Sequence, residues 1–274
     1  MIDTHLHVAD PDVARYPRSS ERLPTSTWWE DQGRDAHTLA ADLEAAGVDC
    51  GVLVQAVGLY GYDNRYVLDA GVSEGSRFCA LPALDPGHPG ALGEIADLSQ
   101  RQGVVGIRLF ALGGVHPWVG TPRAGQALEA VGAAGLVAVV TGLGEHLEAL
   151  LPAIRAHTEV PIVIDHCAFP AFDASGLVSG HPLLHLVPSE HVSIKVTSHL
   201  FEDARAAGAD PADVVSDLVA RFGGDRVMWG SDHPQTRLGD YARHVELARS
   251  SVRLLPAREA AAVLGSTAGR IFGL

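Results

Sequence analysis

Two histidines near the start of the chain have a spacing that suits metal binding or acid–base chemistry. His5 and His7 stand at positions i and i+2 of an apolar extended stretch, so both side chains are predicted to point to one face of a strand. The pattern breaks over residues 9–13, which places the pair at the strand's carboxyl end, where parallel α/β folds hold their active sites. Standing alone, the motif fits structural histidines equally well, because metal ligation needs further partners.

A second segment, near the other end of the chain, supplies a carboxylate. An apolar run over residues 226–230 is followed by Ser231, Asp232, His233 and Pro234, so Asp232 is predicted at the end of another strand. The first and last strands become neighbours if the sheet closes into a barrel. In a barrel, Asp232 would therefore meet the two histidines.

Strands and helices alternate along the chain between these segments. After the first strand, short apolar runs predict strands over residues 48–57, 78–84, 104–110, 136–141, 160–165, 192–197 and 226–230. Helical periodicity predicts helices over residues 35–46, 63–73, 89–101, 123–134, 145–157, 182–187, 211–222, 239–250 and 256–264. Eight strands that are each followed by helical material indicate a parallel sheet with right-handed crossovers.

The closed form of this sheet is favoured over an open doubly wound sheet. The open fold usually has a glycine-rich phosphate turn after its first strand, and this turn is missing; Gly142-Leu143-Gly144-Glu145 is too short to replace it. The predicted fold is therefore α/β, a single (β/α)8 TIM barrel over residues 1–274, with a long loop after the first strand.

Composition narrows the function. The 20 basic and 33 acidic residues give a formal net charge of −13, which disfavours nucleic acid and anionic membranes as partners. A small-molecule substrate that is anionic must be met by local arginines. Three cysteines without C-x-x-C spacing indicate a reducing compartment, and no apolar run approaches the roughly 20 residues that span a bilayer. A cytoplasmic protein is expected, and homo-oligomerisation is left open.

Further polar residues fall at predicted strand ends. Arg108, inside an apolar run, needs either an anionic partner or an anionic substrate. Lys195 could bind substrate or form a structural ion pair with Asp165. His166, next to Asp165, could be a ligand or its hydrogen-bonded partner. His199 follows the seventh strand and is a weaker candidate for the same rim.

The loop after the first strand carries two tryptophans. Trp28 and Trp29 are costly to leave in water, so this loop is predicted to form a lid or a wall of the substrate site. The remaining histidines fall in helices or connections and are predicted to be surface residues: His37, His88, His146, His157, His181, His185, His191 and His244.

Six segments in register resemble one enzyme family, the amidohydrolase-related metal-dependent hydrolases of barrel fold, and among them the branch of pyrone-dicarboxylate and sugar-acid lactonases. They are Ile2-Asp3-Thr4-His5-Leu6-His7, Tyr60-Gly61-Tyr62-Asp63-Asn64-Arg65, Gly106-Ile107-Arg108, Ile164-Asp165-His166, Ile194-Lys195-Val196 and Trp229-Gly230-Ser231-Asp232-His233-Pro234. The resemblance implies that His5, His7 and His166 are metal ligands and that Asp232 activates water.

One departure from that family limits the metal. Many relatives carry a histidine on the fifth strand, where this chain has Thr141. The remaining candidates, His5, His7, Asp232 and His166, suffice for one divalent ion, with zinc favoured, and not for two. A metal-free enzyme is the alternative, because some members of the lactonase branch work without metal.

The predicted activity is hydrolysis of a lactone of a carboxylated or sugar-acid compound, with Asp232 as the general base. In a metal-free site, His5, His7 and His166 would donate hydrogen bonds to the developing oxyanion. The predicted substrate-binding residues are Arg108 for a carboxylate, Lys195, the wall residues Trp28, Trp29 and Tyr60, and Asn64, which could instead cap a helix. The alternatives are a metal-dependent decarboxylase and a non-catalytic binding barrel.

Overall fold

The structure, a computed structural model, describes residues 1–20, 27–236 and 238–274. Its centre is a ring of eight strands, named in chain order β1 (Ile2–Leu6), β2 (Cys50–Val54), β3 (Phe78–Leu81, continued after Pro82 by Ala83–Leu84), β4 (Gly106–Ala111), β5 (Val137–Gly142), β6 (Ile162–Ile164), β7 (Val192–Thr197) and β8 (Val227–Gly230).

Every neighbouring pair in this ring is parallel. β1, β2 and β3 pair in order, and the second half of β3 continues through β4, β5, β6 and β7 to β8. A parallel bridge between Leu6 and His233 closes the ring, and another between Ala80 and Val104 strengthens the β3–β4 edge. The predicted TIM barrel is confirmed.

The helices pack around this ring. They are Trp28–Asp31, Ala36–Ala46, Val57–Tyr60, Arg65–Ser73, Ala91–Ser99, Pro122–Ala133, Gly144–Ala156, Ser198–Ala206, Pro211–Phe222, Tyr241–Ser251, Ala257–Ala261 and Thr267–Phe272. Pro182–Leu186 forms a 3-10 turn and Ala262–Ser266 a π-helical turn, so the predicted helix over residues 256–264 is longer and irregular. A small hairpin pairs Phe172–Asp173 with Gly176–Leu177.

Three helices lie where the sequence predicted none: Trp28–Asp31 and Val57–Tyr60, of four residues each, and Ser198–Ala206, which begins directly after β7. The first lies in the predicted long loop after β1, of which residues 21–26 fall outside the described residues. Within the described part of the chain, no helix is both long and apolar enough to cross a membrane.

Most histidines predicted at the surface are exposed or half-buried, but His244 is fully buried with 0% exposure. It lies on the inner face of helix Tyr241–Ser251, beside buried Val245 and Ala248. The surface prediction for His244 was wrong because its helix packs across the end of the barrel.

Candidate active site

The two ends of the chain meet at the carboxyl end of the barrel. Asp232 donates its backbone N–H to the carbonyl of His5 at 2.8 Å, and His7 donates to the carbonyl of His233 at 2.9 Å. β8 approaches β1 so closely that a Cβ on Gly230 would lie 2.7 Å from the Cβ of His5, so only glycine fits there. This backbone contact brings together His5, His7 and Asp232, as predicted from the closure of the barrel.

Asp3 reinforces the same junction. Its Oδ1 accepts hydrogen bonds from the backbone N–H groups of Ser231 at 2.8 Å and His5 at 3.1 Å, and its Oδ2 accepts from the Tyr241 hydroxyl at 3.0 Å. Burial raises the pKa of Asp3 to about 6, although these hydrogen bonds favour the charged form. One carboxyl group therefore fixes the backbone on both sides of the site.

The Asp232 carboxylate is surrounded by imidazoles. Its Oδ1 lies 3.2 Å from His7 Nε2 and 3.6 Å from His5 Nε2, and its Oδ2 lies 3.1 Å from His199 Nε2. Asp232 is buried, and its backbone adopts a positive φ of 59° that aims the side chain at this cluster. Burial opposes its charge, but His199 and the other imidazoles hold its pKa well below the usual value, so Asp232 is ionised.

His199, predicted only as a weaker candidate, lies in direct contact with Asp232. It is the second residue of helix Ser198–Ala206, which starts directly after β7 without a loop, and one third of its side chain is exposed. Burial lowers its pKa, but the facing carboxylate of Asp232 outweighs that effect and raises the pKa above the ordinary value. The apolar spacing of Leu200, Phe201 and Ala204 is the sequence signal that could have revealed this helix.

A divalent cation fits the group formed by His5, His7 and Asp232, whose ligand atoms all lie within 4.8 Å of one another. His7 donates from Nδ1 to the carbonyl of Val54 at 2.9 Å, so in its neutral form the lone pair of Nε2 faces Asp232 Oδ1. Two lone pairs at that distance repel unless a proton or a cation lies between them. His5 Nε2 and both Asp232 carboxylate oxygens are buried without a well-formed hydrogen bond in the described chain, so all three atoms could serve as ligands of a cation.

A second candidate group, His5, Asp165 and His166, differs in its charge. Asp165 Oδ2 accepts hydrogen bonds from the Thr141 hydroxyl at 2.6 Å and from Arg108 Nε at 3.0 Å, and its Oδ1 lies 3.0 Å from Lys195 Nζ. Although burial opposes ionisation, the Lys195 charge lowers the pKa of Asp165 well below its usual value. Two protein cations already neutralise this carboxylate, so a metal ion fits poorly here.

His166 is held by an unusual backbone. His166, Cys167, Ala168 and Phe169 all have φ between 52° and 58°, a left-handed turn made without glycine. The His166 ring lies 4.5 Å from that of His5 and 4.8 Å from that of Phe169, and its Nδ1 contacts the Thr197 hydroxyl at 2.9 Å. Burial lowers the pKa of His166 to about 4, so the ring is neutral.

The predicted substrate-binding residues separate into two groups. Trp28 stacks on His7 with ring centres 6.0 Å apart and meets Trp29 edge-on at 5.7 Å. Helix Trp28–Asp31 therefore borders the histidines around Asp232. Tyr60 is buried, and its hydroxyl accepts from the backbone of Asp10 at 2.8 Å. The Asn64 amide is paired in both directions with the backbone of Ala83, at 2.8 and 2.9 Å. Tyr60 and Asn64 are thus engaged in the scaffold.

Arg108 and Lys195 differ in their access to the cavity. Both contact Asp165, but Lys195 has 0% exposure, whereas Arg108 borders the cavity above the cluster. Of the two roles that the sequence left open for Lys195, the structure displays the ion pair with Asp165.

The cavity above Asp232 has a volume of about 40 Å³. This space suits a water molecule or an ion, so a ring-shaped ligand requires its walls to open. Its walls are both polar and apolar: His7, Val57, Gly58, Arg108, Phe110, Leu112, His166, Phe169, His199, Asp232 and Gln235.

Comparison with known proteins agrees with this geometry. A family model described as amidohydrolase matches residues 2–274. The chain is 28% identical to L-fucono-1,5-lactonase of Burkholderia ambifaria over 232 residues, which cover 78% of each chain. It is 29% identical to 4-sulfomuconolactone hydrolase of Rhizobium radiobacter over 268 residues, which cover 88% of this chain and 78% of the relative.

A solved structure shares the whole fold. An amidohydrolase from Burkholderia multivorans with bound zinc superposes with a TM-score of 0.77 at 20% identity, over 100% of this chain and 99% of that one. The family and the barrel expected from the sequence are therefore both confirmed.

Proposed function

The chain belongs to the amidohydrolase family, and from this membership we propose that it is an enzyme that hydrolyses a small lactone to the open hydroxy acid. The observation that carries the proposal is the ionised Asp232 carboxylate at the barrel mouth, held between His7 and His199. Two relatives whose names state lactone hydrolysis support the choice of a cyclic ester.

Asp232 and His199 divide the proton transfers. Asp232 Oδ1 orients the attacking water and accepts its proton as the oxygen adds to the lactone carbonyl carbon. A carboxylate with a low pKa is a weak base, so the water must be acidified or the proton passed on. His199, whose pKa is raised, donates its proton to the leaving ring oxygen as the C–O bond breaks. Asp232 then returns the water's proton to His199 over the 3.1 Å between them.

His5, His7 and Asp232, with His166 nearby, would hold a single divalent ion, for which zinc suits the nitrogen and oxygen ligands. When bound, such an ion supplies a more acidic water and a polarised carbonyl group. In a metal-free enzyme the neutral ring of His166, which lines the cavity beside Asp232, would donate a hydrogen bond to the developing oxyanion.

The cavity walls indicate the class of substrate. Arg108 contributes a positive charge at the cavity, and its planar guanidinium suits a carboxylate or a sulfonate. Phe110, Leu112 and Phe169 form an apolar surface beside it. We therefore propose a small lactone with an acid group on one side of its ring.

The test is a panel of lactones with and without an acid group, assayed by proton release before and after chelation and zinc addition. Asp232→Asn should lower kcat by about 10²–10⁴-fold, the usual contribution of a general base. Asp217→Asn, on an exposed helix face, is the matched control and should keep the wild-type rate.

Three results would overturn the proposal. The first is a rate for Asp232→Asn within threefold of wild type. The second is carbon dioxide release that chelation abolishes, without lactone opening, which would identify a decarboxylase. The third is ligand binding without turnover of any compound, which would identify a binding barrel.

A further inference from the structure

We propose that His244 is a positioning residue that fixes His199 against Asp232. His244 lies on helix Tyr241–Ser251, and its ring bridges the start of helix Ser198–Ala206 and the loop after β8: Nδ1 contacts the Ser198 hydroxyl at 2.8 Å and Nε2 contacts the Thr236 hydroxyl at 3.2 Å. No step of the proposed mechanism uses this imidazole.

The two hydroxyl groups belong to the two segments that carry the proton-transfer pair. Ser198 begins helix Ser198–Ala206 and directly precedes His199. Thr236 follows Asp232 by four residues in the loop after β8. A single imidazole therefore connects the residue directly before His199 with the loop that follows Asp232.

The surroundings of His244 favour this role over simple filling of the core. The residue has 0% exposure, and the rings of His233 and Tyr241 lie 5.2 and 6.4 Å away, which restricts its rotation. Serine and threonine hydroxyls both donate and accept, so a neutral imidazole satisfies them in either tautomer. An apolar side chain of equal size would leave both hydroxyls without this partner. The bridge also lies at the carboxyl end of the barrel, where residues act on the chemistry, rather than at the stabilising amino end.

Two conservative substitutions test the two hydrogen bonds of His244 separately. The side-chain amide of asparagine reaches the position of a histidine Nδ1, and that of glutamine reaches the position of Nε2. His244→Asn should therefore keep the Ser198 contact, and His244→Gln should keep the Thr236 contact. Each variant loses one hydrogen bond, so their melting temperatures should fall by similar amounts.

Their activities should differ, because the hydrogen bond to Ser198 holds the residue directly before His199, whereas the hydrogen bond to Thr236 does not. A misplacement of about 1 Å at a catalytic group can lower a rate by about 10²-fold. We expect His244→Gln and Ser198→Ala to lower kcat by about 10–100-fold with KM within threefold of wild type. His244→Asn should keep kcat within threefold, and Thr236→Val should resemble it. His191→Gln is the control and should keep the wild-type kcat, because the half-buried His191 ring contacts the carbonyl of Ile154 at the amino end of β7.

The kinetic readout rests on the proposed lactone hydrolysis, so a second readout needs no substrate. In ¹⁵N-histidine NMR spectra, the ring signals of His199 should shift or broaden in His244→Gln and stay near their wild-type positions in His244→Asn. Equal effects of the two variants on His199, or unchanged His199 signals in both, would overturn the inference. An enzyme that opens no lactone but shows the expected His199 shifts would refute the proposed function and leave the positioning role standing.

Discussion

Replacement of Lys195 by methionine tests whether the buried charges below the site are structural. Lys195 is the only lysine of the chain, and its Nζ lies 3.0 Å from Asp165 Oδ1 with both side chains at 0% exposure. At an effective dielectric constant of about 20, this separation corresponds to an attraction of about 5 kcal/mol before desolvation is subtracted. Removal of one partner from a buried pair costs about 3–5 kcal/mol.

Lys195→Met should fall at the lower end of that range, about 3 kcal/mol. Methionine keeps an unbranched apolar stem, and Arg108 and Thr141 still hold the other oxygen of Asp165. Urea unfolding followed by tryptophan fluorescence measures the loss. The double variant with Asp165→Asn should cost at least 1 kcal/mol less than the sum of the single variants, because the two residues interact.

The single lysine also permits a direct measure of burial in the wild-type protein. An amine-reactive reagent should modify the folded chain at its N-terminal amine alone and should reach Lys195 only after unfolding. Two results would refute this reasoning: labelling of Lys195 in the folded state, or a loss of stability below 1 kcal/mol in Lys195→Met together with a raised KM. The second would show that Lys195 binds substrate.

Three further measurements test the remaining charges. Burial lowers the pKa of His244 to about 4, below the ordinary 6.5. Its contribution to stability is therefore present above pH 6.5, and about 3 kcal/mol is lost as the pH falls towards 4. The urea midpoints at pH 7.5 and 4.5 should differ less in His244→Gln than in wild type. Thr141→Val should lower the free energy of unfolding by about 1.5–3 kcal/mol because Asp165 loses a buried donor, whereas Thr141→Ser should not. Elemental analysis after zinc dialysis should give no more than one ion per wild-type chain and less in Asp232→Asn, and two ions per chain would contradict the neutralisation of Asp165.

Regular elements with strong periodicity could be predicted from the sequence almost to the residue. The strand over residues 192–197 and the helix over residues 211–222 have the predicted bounds, the helix because Asp210 caps it and Pro211 starts it. The sixth strand is shorter than predicted, Ile162–Ile164 in place of residues 160–165, because Asp165 leaves the ladder and begins a turn. The convergence of His5, His7 and Asp232 also followed from the sequence, since it requires only closure of the barrel.

The rest of the site depends on features that have no local signal. Four consecutive non-glycine residues, His166–Phe169, have positive φ, which side chains disfavour, and contacts of His166 and Cys167 with β7 hold the start of this turn. His199 was underrated because no turn or cap separates its helix from β7. The burial of His244 depends on where its helix packs, and the sequence of the helix does not reveal that position.

Charge balance decides which of the two histidine and carboxylate groups can meet a cation or a water molecule. Both groups share His5, so geometry alone does not distinguish them. Asp165 has Lys195, Arg108 and the Thr141 hydroxyl around it. These partners make Asp165 an anchor for two protein cations. Within the described residues, Asp232 is then the carboxylate of the cluster without a lysine or arginine partner, and it is the one that borders the cavity.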